Sequence, residues 1–304
     1  MRFEMYEEYI KRRVLSIQSH VVCGYVGNRA AVFPMQLLGM EVDNINSVQF
    51  CCHTQYKEVK GQILGSQELK QLVDGLESNG IHHYSSLLTG YIGSVEFLEQ
   101  VADTGKRLKT ANPELLYVCD PVLGDNDHWY VSKDLLPIYQ NTILKLANII
   151  TPNHFELGWL TEITITDMES AIAAIDKAHE MGVGTVVLSS FPSGKDNLTL
   201  VGSQYSQGKS KKFSITFPHI EGIFTGTGDL FAALLLVHFK RSGKLDKACE
   251  LVISTMKNVL QATQEKRKAL ESADVQQSFK CELDLIQSKS SIENPTLSCS
   301  AIPI

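Results

Sequence analysis

The chain has 304 residues, of which 43% are apolar and 20% charged, and its formal net charge is −6. So large an apolar fraction excludes a disordered chain, and no run of about 18 apolar residues marks a membrane helix. Acidic residues outnumber basic ones, so the chain lacks the positive electrostatic field that binds the phosphate backbone of a nucleic acid. We therefore expect neither nucleic acid nor a membrane as its partner.

The seven cysteines are scattered along the chain, and their odd number does not suit a fold stabilised by disulfide bonds. They stand at positions 23, 51, 52, 119, 249, 281 and 299, with no C-x-x-C spacing. The first residues mix acidic and basic side chains and lack the apolar centre of a secretory signal. This pattern predicts a cytoplasmic globular protein with free thiols.

Short β-branched and leucine-rich runs alternate with segments of helical period. Strands are predicted at residues 14–17, 42–45, 84–88, 115–119, 148–150, 185–189, 198–201 and 212–217, the last two as a hairpin. Helices are predicted at residues 28–38, 95–109, 168–181, 230–240 and 248–266, with another beginning at Ser66 and a last one near Asp284. The alternation predicts an α/β fold, a mostly parallel sheet with helices on both faces.

The residues that directly follow the predicted strands are polar or aromatic, and none is Lys or Arg. In such folds ligands collect at the carboxyl ends of the strands, so these positions indicate a small-molecule site. They include Ser19, Asn46, Ser47, Thr89, Gly90, Tyr91, Asp120, Thr151, Asn153, Ser189 and Ser190.

Two glycine patterns of nucleotide-binding proteins are not met. The segment from Gly202 to Ser210 is similar to a P-loop, but it holds one residue too many between its glycines. The residues that follow it alternate like a strand, whereas a P-loop opens a helix, so a hairpin turn explains it better. No G-x-G-x-x-G follows a strand, which argues against a dinucleotide-dependent oxidoreductase.

The stronger signal is the sequence Gly-Thr-Gly-Asp at residues 226–229, directly before an apolar helix. Glycines let a backbone approach a ligand closely, and the free N–H groups of a helix start attract an anion such as a phosphoryl group. Asp229 at that start is suited to deprotonating an attacking hydroxyl. On spacing alone, Asp229 can equally be a cap that follows a glycine turn.

The Gly-Thr-Gly-Asp sequence before an apolar helix resembles the ribokinase-like superfamily of small-molecule kinases. Further segments resemble the pyridoxal kinase family in the same order: SIQSHV at 16–21, GYVGN at 24–28, NSVQF at 46–50, TGY at 89–91, DPVLGD at 120–125 and TPNHFE at 151–156. The resemblance implies a three-layer α/β/α kinase domain at residues 13–295, with terminal extensions at 1–12 and 296–304. It also implies ATP-dependent phosphorylation of the 5′-hydroxymethyl group of pyridoxal, pyridoxine and pyridoxamine by a homodimer.

The same resemblance implies a role for each site residue, with Asp229 as the catalytic base. The substrate would contact Ser19 through its ring nitrogen and Thr54 through its phenolic oxygen, with Tyr91 beside the ring and Gly228 as a further substrate-binding residue. ATP would contact Asp120, Asn153, Ser189, Ser190, Ile220, Glu221, Gly222, Gly226 and Thr227. Mg²⁺, and K⁺ or Na⁺, would be held by Asp125, Asp120, Thr151 and Glu156. Without the resemblance, the sequence around Ser19 indicates a turn or cap residue, and Tyr91 indicates an ordinary half-buried aromatic. Asp120 and Asp125 would then belong to a solvated turn.

Three alternatives remain open at this point: a related kinase for hydroxymethylpyrimidine or a sugar, a catalytically silent vitamin-binding or scaffold protein, and the oxidoreductase. One departure from the family concerns the flap over the phosphates. Only residues 126–129 separate Asp125 from Tyr130, fewer than the family usually has, so we expect altered closure of this flap.

Overall fold

The computed structural model describes residues 2–304, and a ten-stranded sheet runs through it. The strands are β1 (Arg13–Val21), β2 (Glu41–Phe50), β3 (Gly61–Ile63), β4 (Ser86–Thr89), β5 (Leu116–Cys119), β6 (Gly124–Asp125), β7 (His128–Trp129), β8 (Ile149–Ile150), β9 (Thr185–Pro192), β10 (Asn197–Ser206), β11 (Lys209–Pro218) and β12 (Ile302–Pro303). All but β6 and β7 belong to the sheet, in the order β12-β11-β10-β9-β8-β5-β4-β1-β2-β3.

The six central strands, from β9 to β2, are parallel to their neighbours. β3 pairs antiparallel with β2 at one edge, and β10, β11 and β12 are antiparallel at the other. The predicted hairpin is the β10–β11 pair, whose register runs from Asn197 opposite Pro218 to Ser206 opposite Lys209. The predicted mostly parallel sheet is confirmed.

Helices cover both faces of the sheet. They are α1 (Arg2–Arg12), α2 (Asn28–Leu37), α3 (Ser66–Ser78), α4 (Val95–Ala111), α5 (Leu136–Ile138), α6 (Leu144–Leu146), α7 (His154–Thr161), α8 (Met168–Glu180), α9 (Thr227–Ser242), α10 (Leu245–Ala269), α11 (Gln277–Lys280) and α12 (Lys289–Glu293). None of the helices described between residues 2 and 304 combines the length and apolar content that crossing a bilayer takes.

Alternate residues of the central strands belong to two different apolar cores. Leu87 packs among α3, α4 and α8, whereas its neighbour Leu88 packs among α2, α9 and α10. The same alternation occurs on β5, where Tyr117 lies in the first core and Val118 in the second. Because successive strand residues point to opposite faces, this division is what a sheet sandwiched between two helical layers requires.

The structure differs from the sequence predictions in three helical regions. The last helix, expected near Asp284, was placed wrongly: residues 281–284 form a turn and a bridge, and α11 and α12 flank them. The helical segment at 133–146 was missed because a π-helical stretch at Tyr139–Ile143 breaks its period. α7 was missed because it is only eight residues long and largely apolar all round, so it shows almost no amphipathic period.

Part of each predicted terminal extension forms regular structure in the described chain. α1 precedes β1 directly, and β12 pairs with β11 at the edge of the sheet. Before β12, the Ala301 N–H donates to the buried carboxylate of Glu250 on α10 at 2.9 Å. The boundary at residue 295 stays a prediction, but the tail beyond it is packed against the sheet and α10.

Candidate active site

The loop before α9 turns so sharply that it needs glycine. Gly226 has φ 84°, and a Cβ at this position would lie 1.9 Å from the Tyr25 carbonyl oxygen. α9 begins at Thr227, so its first N–H groups lack partners within the helix and face the loop. Asp229 lies in that first turn, where burial raises its pKa and the backbone of Gly27 opposes the rise.

Asp120 follows β5 and brings a second carboxylate to the same place. It is buried, and Oγ1 of Thr151 donates to its Oδ1 at 3.1 Å. A Cβ on Gly228 would lie 3.2 Å from Oδ2 of Asp120, so the start of α9 is in contact with it. Burial, followed by the charges of Glu156 and Asp229, holds the pKa of Asp120 well above its ordinary value. The structure therefore brings together five of the predicted site residues: Asp120, Thr151, Glu156, Gly228 and Asp229.

Glu156 organises the loop between β5 and β6. It forms a capping box with Asn153, in which each side chain accepts the other residue's N–H at 2.9 Å. Its Oε1 also accepts the N–H groups of Leu123 and Gly124 at 3.0 and 3.4 Å. Burial raises the pKa of Glu156 to about 7, although these N–H groups oppose it. Three of its roughly four acceptor positions are thus in use, and its role as a cation ligand stays a prediction.

Asp125 ends β6, in the hairpin predicted as a flap. Asn126 and Asp127 both have positive φ, 49° and 57°, as a tight type I′ turn requires. The charge of Asp125 contributes to the raised pKa of Glu156, so the two carboxylates are neighbours. Trp129 on β7 stacks on Trp159 of α7 at 4.1 Å between ring centroids. The short flap is therefore a hairpin anchored on α7.

The chemistry of these carboxylates fits a cation that arrives with a polyphosphate. Within residues 2–304, no group of three His, Cys, Asp or Glu side chains is already arranged as a metal site. None of the ion pairs described there neutralises Asp120, Asp125, Glu156 or Asp229. Hard oxygen ligands with uncompensated charge suit Mg²⁺, which keeps several waters and takes few protein ligands.

The predicted substrate residues lie around the ends of β1, β2 and β4. Gly27 has φ 53°, and a Cβ there would lie 2.4 Å from Oγ of Ser19, so Ser19 and Asp229 flank the same glycine. Tyr91 is half-buried, and its carbonyl accepts from Ser47 at 2.9 Å. Thr54 is exposed on the loop after β2, next to Gln55, whose side-chain carbonyl accepts from Thr225 at 3.4 Å.

The predicted nucleotide residues fall into two groups. Ser189 donates through its Oγ to the Pro152 carbonyl at 3.2 Å, and the backbone of Ser190 meets His154, so this pair lies beside the 151–153 segment. The second group, at 220–222, lies in the loop before Thr225 and packs against α10: Gln264 donates to the Glu221 carbonyl at 3.1 Å. Its contact with adenine stays a prediction.

Two further polar residues beside the site received no role from the sequence. Asn28, buried at the start of α2, accepts from Ser16 at 2.8 Å and donates to Asn46 at 2.9 Å, which fixes the ends of β1 and β2. Glu282 is buried behind the loops that carry Tyr25 and Thr225. Around Glu282 the sequence alternates apolar and charged residues, with Lys280 and Asp284 on either side, a pattern that does not distinguish it from a surface position.

Comparison with known proteins identifies the family. The family model described as phosphomethylpyrimidine kinase matches residues 77–272. Pyridoxal kinase from Ovis aries is 46% identical over 300 residues, which cover 94% of this chain and 96% of the relative. Pyridoxal kinase from Homo sapiens is 45% identical over 300 residues, with the same coverage.

Solved structures agree with these relatives. Pyridoxal kinase from Leishmania donovani in complex with ADP and pyridoxamine has a TM-score of 0.90 at 34% identity, covering 96% of this chain and 99% of that one. Pyridoxal kinase from Trypanosoma brucei has a TM-score of 0.86 at 34% identity, covering 97% and 99%. The fold is therefore the ribokinase-like one that the motifs predicted, and the chain belongs to the pyridoxal kinase family.

Proposed function

We propose that this chain transfers the γ-phosphoryl group of ATP to the 5′-hydroxymethyl group of pyridoxal, pyridoxine and pyridoxamine, and so supplies pyridoxal 5′-phosphate by salvage. Relatives that match nearly the whole chain are pyridoxal kinases, and one neighbour is bound to ADP and pyridoxamine. The observation that carries the proposal is the placement of Asp229 in the first turn of α9, against Gly27 and beside Asp120.

The chain's own groups act mainly by position and charge. Asp229 accepts the proton of the hydroxymethyl group as its oxygen attacks phosphorus, which takes a deprotonated carboxylate. The free N–H groups of residues 226–228 stabilise negative charge on the transferring phosphoryl group. Ser19 and Thr54 orient the ring by hydrogen bonds, and Tyr91 gives it an apolar face.

Asp120 and Asp125 would hold Mg²⁺, and Thr151 and Glu156 would contribute to a K⁺ or Na⁺ site nearby. When bound, these cations neutralise the charge that four carboxylates and a triphosphate bring together. Asn153, Ser189, Ser190 and Thr227 would contact the phosphates, and residues 220–222 would line the adenine. The uncompensated carboxylates described above support this assignment.

A second candidate substrate is hydroxymethylpyrimidine, because the matching family model is described as phosphomethylpyrimidine kinase. The whole-chain similarity to pyridoxal kinases favours the pyridine ring. A coupled ADP assay with the three B6 vitamers, hydroxymethylpyrimidine and a sugar decides among them. ATP binding without ADP release on any substrate would favour the silent binding protein.

Asp229→Asn tests the mechanism. Loss of the general base should lower kcat by about 10²–10⁴-fold, while ATP affinity stays close to that of the unmodified protein. Asp246→Asn is the matched control, because Asp246 occupies the first turn of α10, away from the proposed site. Ordinary turnover in Asp229→Asn would remove this residue from the role of base.

We further propose a cytoplasmic homodimer. All seven cysteines are free, as suits a reducing compartment. Light scattering coupled to size-exclusion chromatography measures the mass of the assembly, and a species of one chain would contradict the dimer. Cell fractionation with a tagged chain tests the compartment.

A further inference from the structure

Glu282 is a buried acidic residue that the proposed chemistry does not use. It lies after α11, about fifty residues beyond Asp229 in the chain, and only 3% of it is exposed. A carboxylate so buried needs partners, because removing a charge from water is costly. Its partners come from loops that the proposed site uses.

Residues of two loops, the turn before α2 and the loop after β2, contact the carboxylate of Glu282. The Tyr25 N–H donates to Oε2 at 2.7 Å, and the Tyr56 hydroxyl donates to Oε1 at 3.3 Å. Nε2 of His53 lies 3.1 Å from Oε1. Gly24, with φ 100°, leaves room for the Glu282 carboxylate, since a Cβ at this position would lie 2.1 Å from Oε1. Glu282 thus joins the turn before α2 to the loop that carries Thr54.

The backbone around Glu282 reaches the phosphate loop as well. Glu282 forms a parallel bridge with Thr225, and the Thr225 N–H donates to the Cys281 carbonyl at 3.4 Å. The Tyr25 carbonyl, whose own N–H is held by Glu282, packs under Gly226. One residue therefore connects the segments that carry Thr54, Tyr25 and Gly226.

The rings on the substrate side are oriented toward this carboxylate. Nδ1 of His53 accepts the Gln55 N–H at 3.3 Å, and its Nε2 lies 3.1 Å from Oε1 of Glu282 without forming a hydrogen bond to it. Burial and the charge of Glu282 raise the pKa of Tyr56, so its hydroxyl remains a donor. The two rings pack edge to face at 4.7 Å between centroids, directly beside Thr54.

We propose that Glu282 is a positioning residue for the vitamer: it holds the 53–56 loop against the 24–27 turn and the 225–226 turn before α9, so that Thr54 faces the ring. It touches none of the reacting groups, so it acts on vitamer affinity more than on the phosphoryl step. This inference rests on the proposed function, because it assigns Thr54 to the vitamer.

Glu282→Gln tests the inference, with Glu250→Gln as the matched control. Glu250 is equally buried and accepts a backbone N–H at 2.9 Å, but it lies on α10 against the C-terminal tail. In Glu282→Gln we expect the KM for pyridoxal to rise on the order of tenfold, which corresponds to weakening one charged hydrogen bond. The KM for ATP should stay within about twofold, and Glu250→Gln should leave both constants unchanged.

The outcomes are separable. Equal KM values for pyridoxal in Glu282→Gln and the unmodified protein would overturn the positioning role, as would an equal rise in both KM values. If the unmodified protein does not turn over pyridoxal, the proposed function itself fails. Should Glu282→Gln not fold, Tyr56→Phe tests the same contact: a rise of about twofold or more in pyridoxal KM supports it, and no rise overturns it.

Discussion

Asp120 is a residue whose ionised form is unfavourable in the folded protein. It is buried, and Glu156 and Asp229 place negative charge nearby, so its pKa is raised in the fold. The hydrogen bond from Thr151 offsets only part of this effect. Because such a residue lowers the stability of the free protein, its presence agrees with the proposed binding role.

Asp120→Asn should therefore stabilise the ligand-free protein while it weakens catalysis. The folded state holds the Asp120 proton more tightly than the unfolded chain, so the free energy of unfolding falls as pH rises from the ordinary aspartate pKa of 3.8 through the raised value. Near neutral pH, we expect Asp120→Asn to raise Tm by about 2–4 °C, the shift that 1 kcal/mol gives in a domain of roughly this size. Thermal scans from pH 4 to 8 measure this, and a lower Tm in the variant would contradict it.

Cys51 and Cys52 are adjacent but differ in chemistry. Cys51 is exposed, and the Lys60 N–H donates to its sulfur at 3.3 Å, which lowers its pKa. Cys52 is buried, which raises its pKa to about 11. Because the thiolate is the nucleophile, we expect iodoacetamide to label Cys51 faster than Cys52. A time course by peptide mass spectrometry measures the rates, with Cys51→Ser as control; labelling of Cys52 as fast as that of Cys51 would contradict the ranking.

At the scale of elements, an aromatic contact anchors the flap on α7. Trp129 stacks on Trp159 of α7, and the Lys133 ammonium lies 5.4 Å from the Trp129 ring. An aromatic pair of this kind is worth about 0.5–1.5 kcal/mol beyond its buried area. α7 also carries the Asn153–Glu156 capping box, so the flap and the proposed phosphate segment share one support.

Trp129→Ala should loosen the hairpin and admit water to the phosphoryl group. We expect the ratio of ADP formed to vitamer phosphorylated to rise above one, since hydrolysis then competes with transfer. Assays of both products in one reaction measure the ratio. His128→Ala alters the exposed neighbour on the same strand and serves as control, and an unchanged ratio in Trp129→Ala would show that the flap does not exclude water.

The elements that the sequence predicts best are the regularly patterned ones. α4, α8 and the β10–β11 hairpin follow from period and turn residues, whereas β1 extends to Val21 and β2 to Phe50, each beyond its predicted end. These extensions were missed because most of their residues are polar; in β2, Asn46 accepts from both Asn28 and Asn44 at 2.9 Å. Short local motifs likewise indicate Asp120 and Asp229. Glu282 could not be found this way, because its partners lie more than 220 residues away in sequence for Tyr56 and Tyr25.

At the scale of the whole molecule, the proposed site draws on segments from Ser19 to Asp229, and both cores include residues of the same strands. This arrangement favours the single domain predicted at 13–295, because neither helical layer has a sheet of its own to pack on. The packed tail indicates that the cooperative unit extends to β12.

The net charge of −6 and the four uncompensated carboxylates make a bare triphosphate an unfavourable ligand. Backbone N–H groups at α9 supply only part of the positive field, so the proposed function requires cations to supply the rest. We expect chelation of divalent cations by EDTA to weaken ATP binding by at least about 100-fold, roughly 2.7 kcal/mol, measured by calorimetry without substrate. Adenosine, which lacks phosphates, is the control and should bind equally with and without EDTA. Loss of both ligands would mean that the cation supports the fold, and unchanged ATP binding would mean that the protein alone neutralises the phosphates.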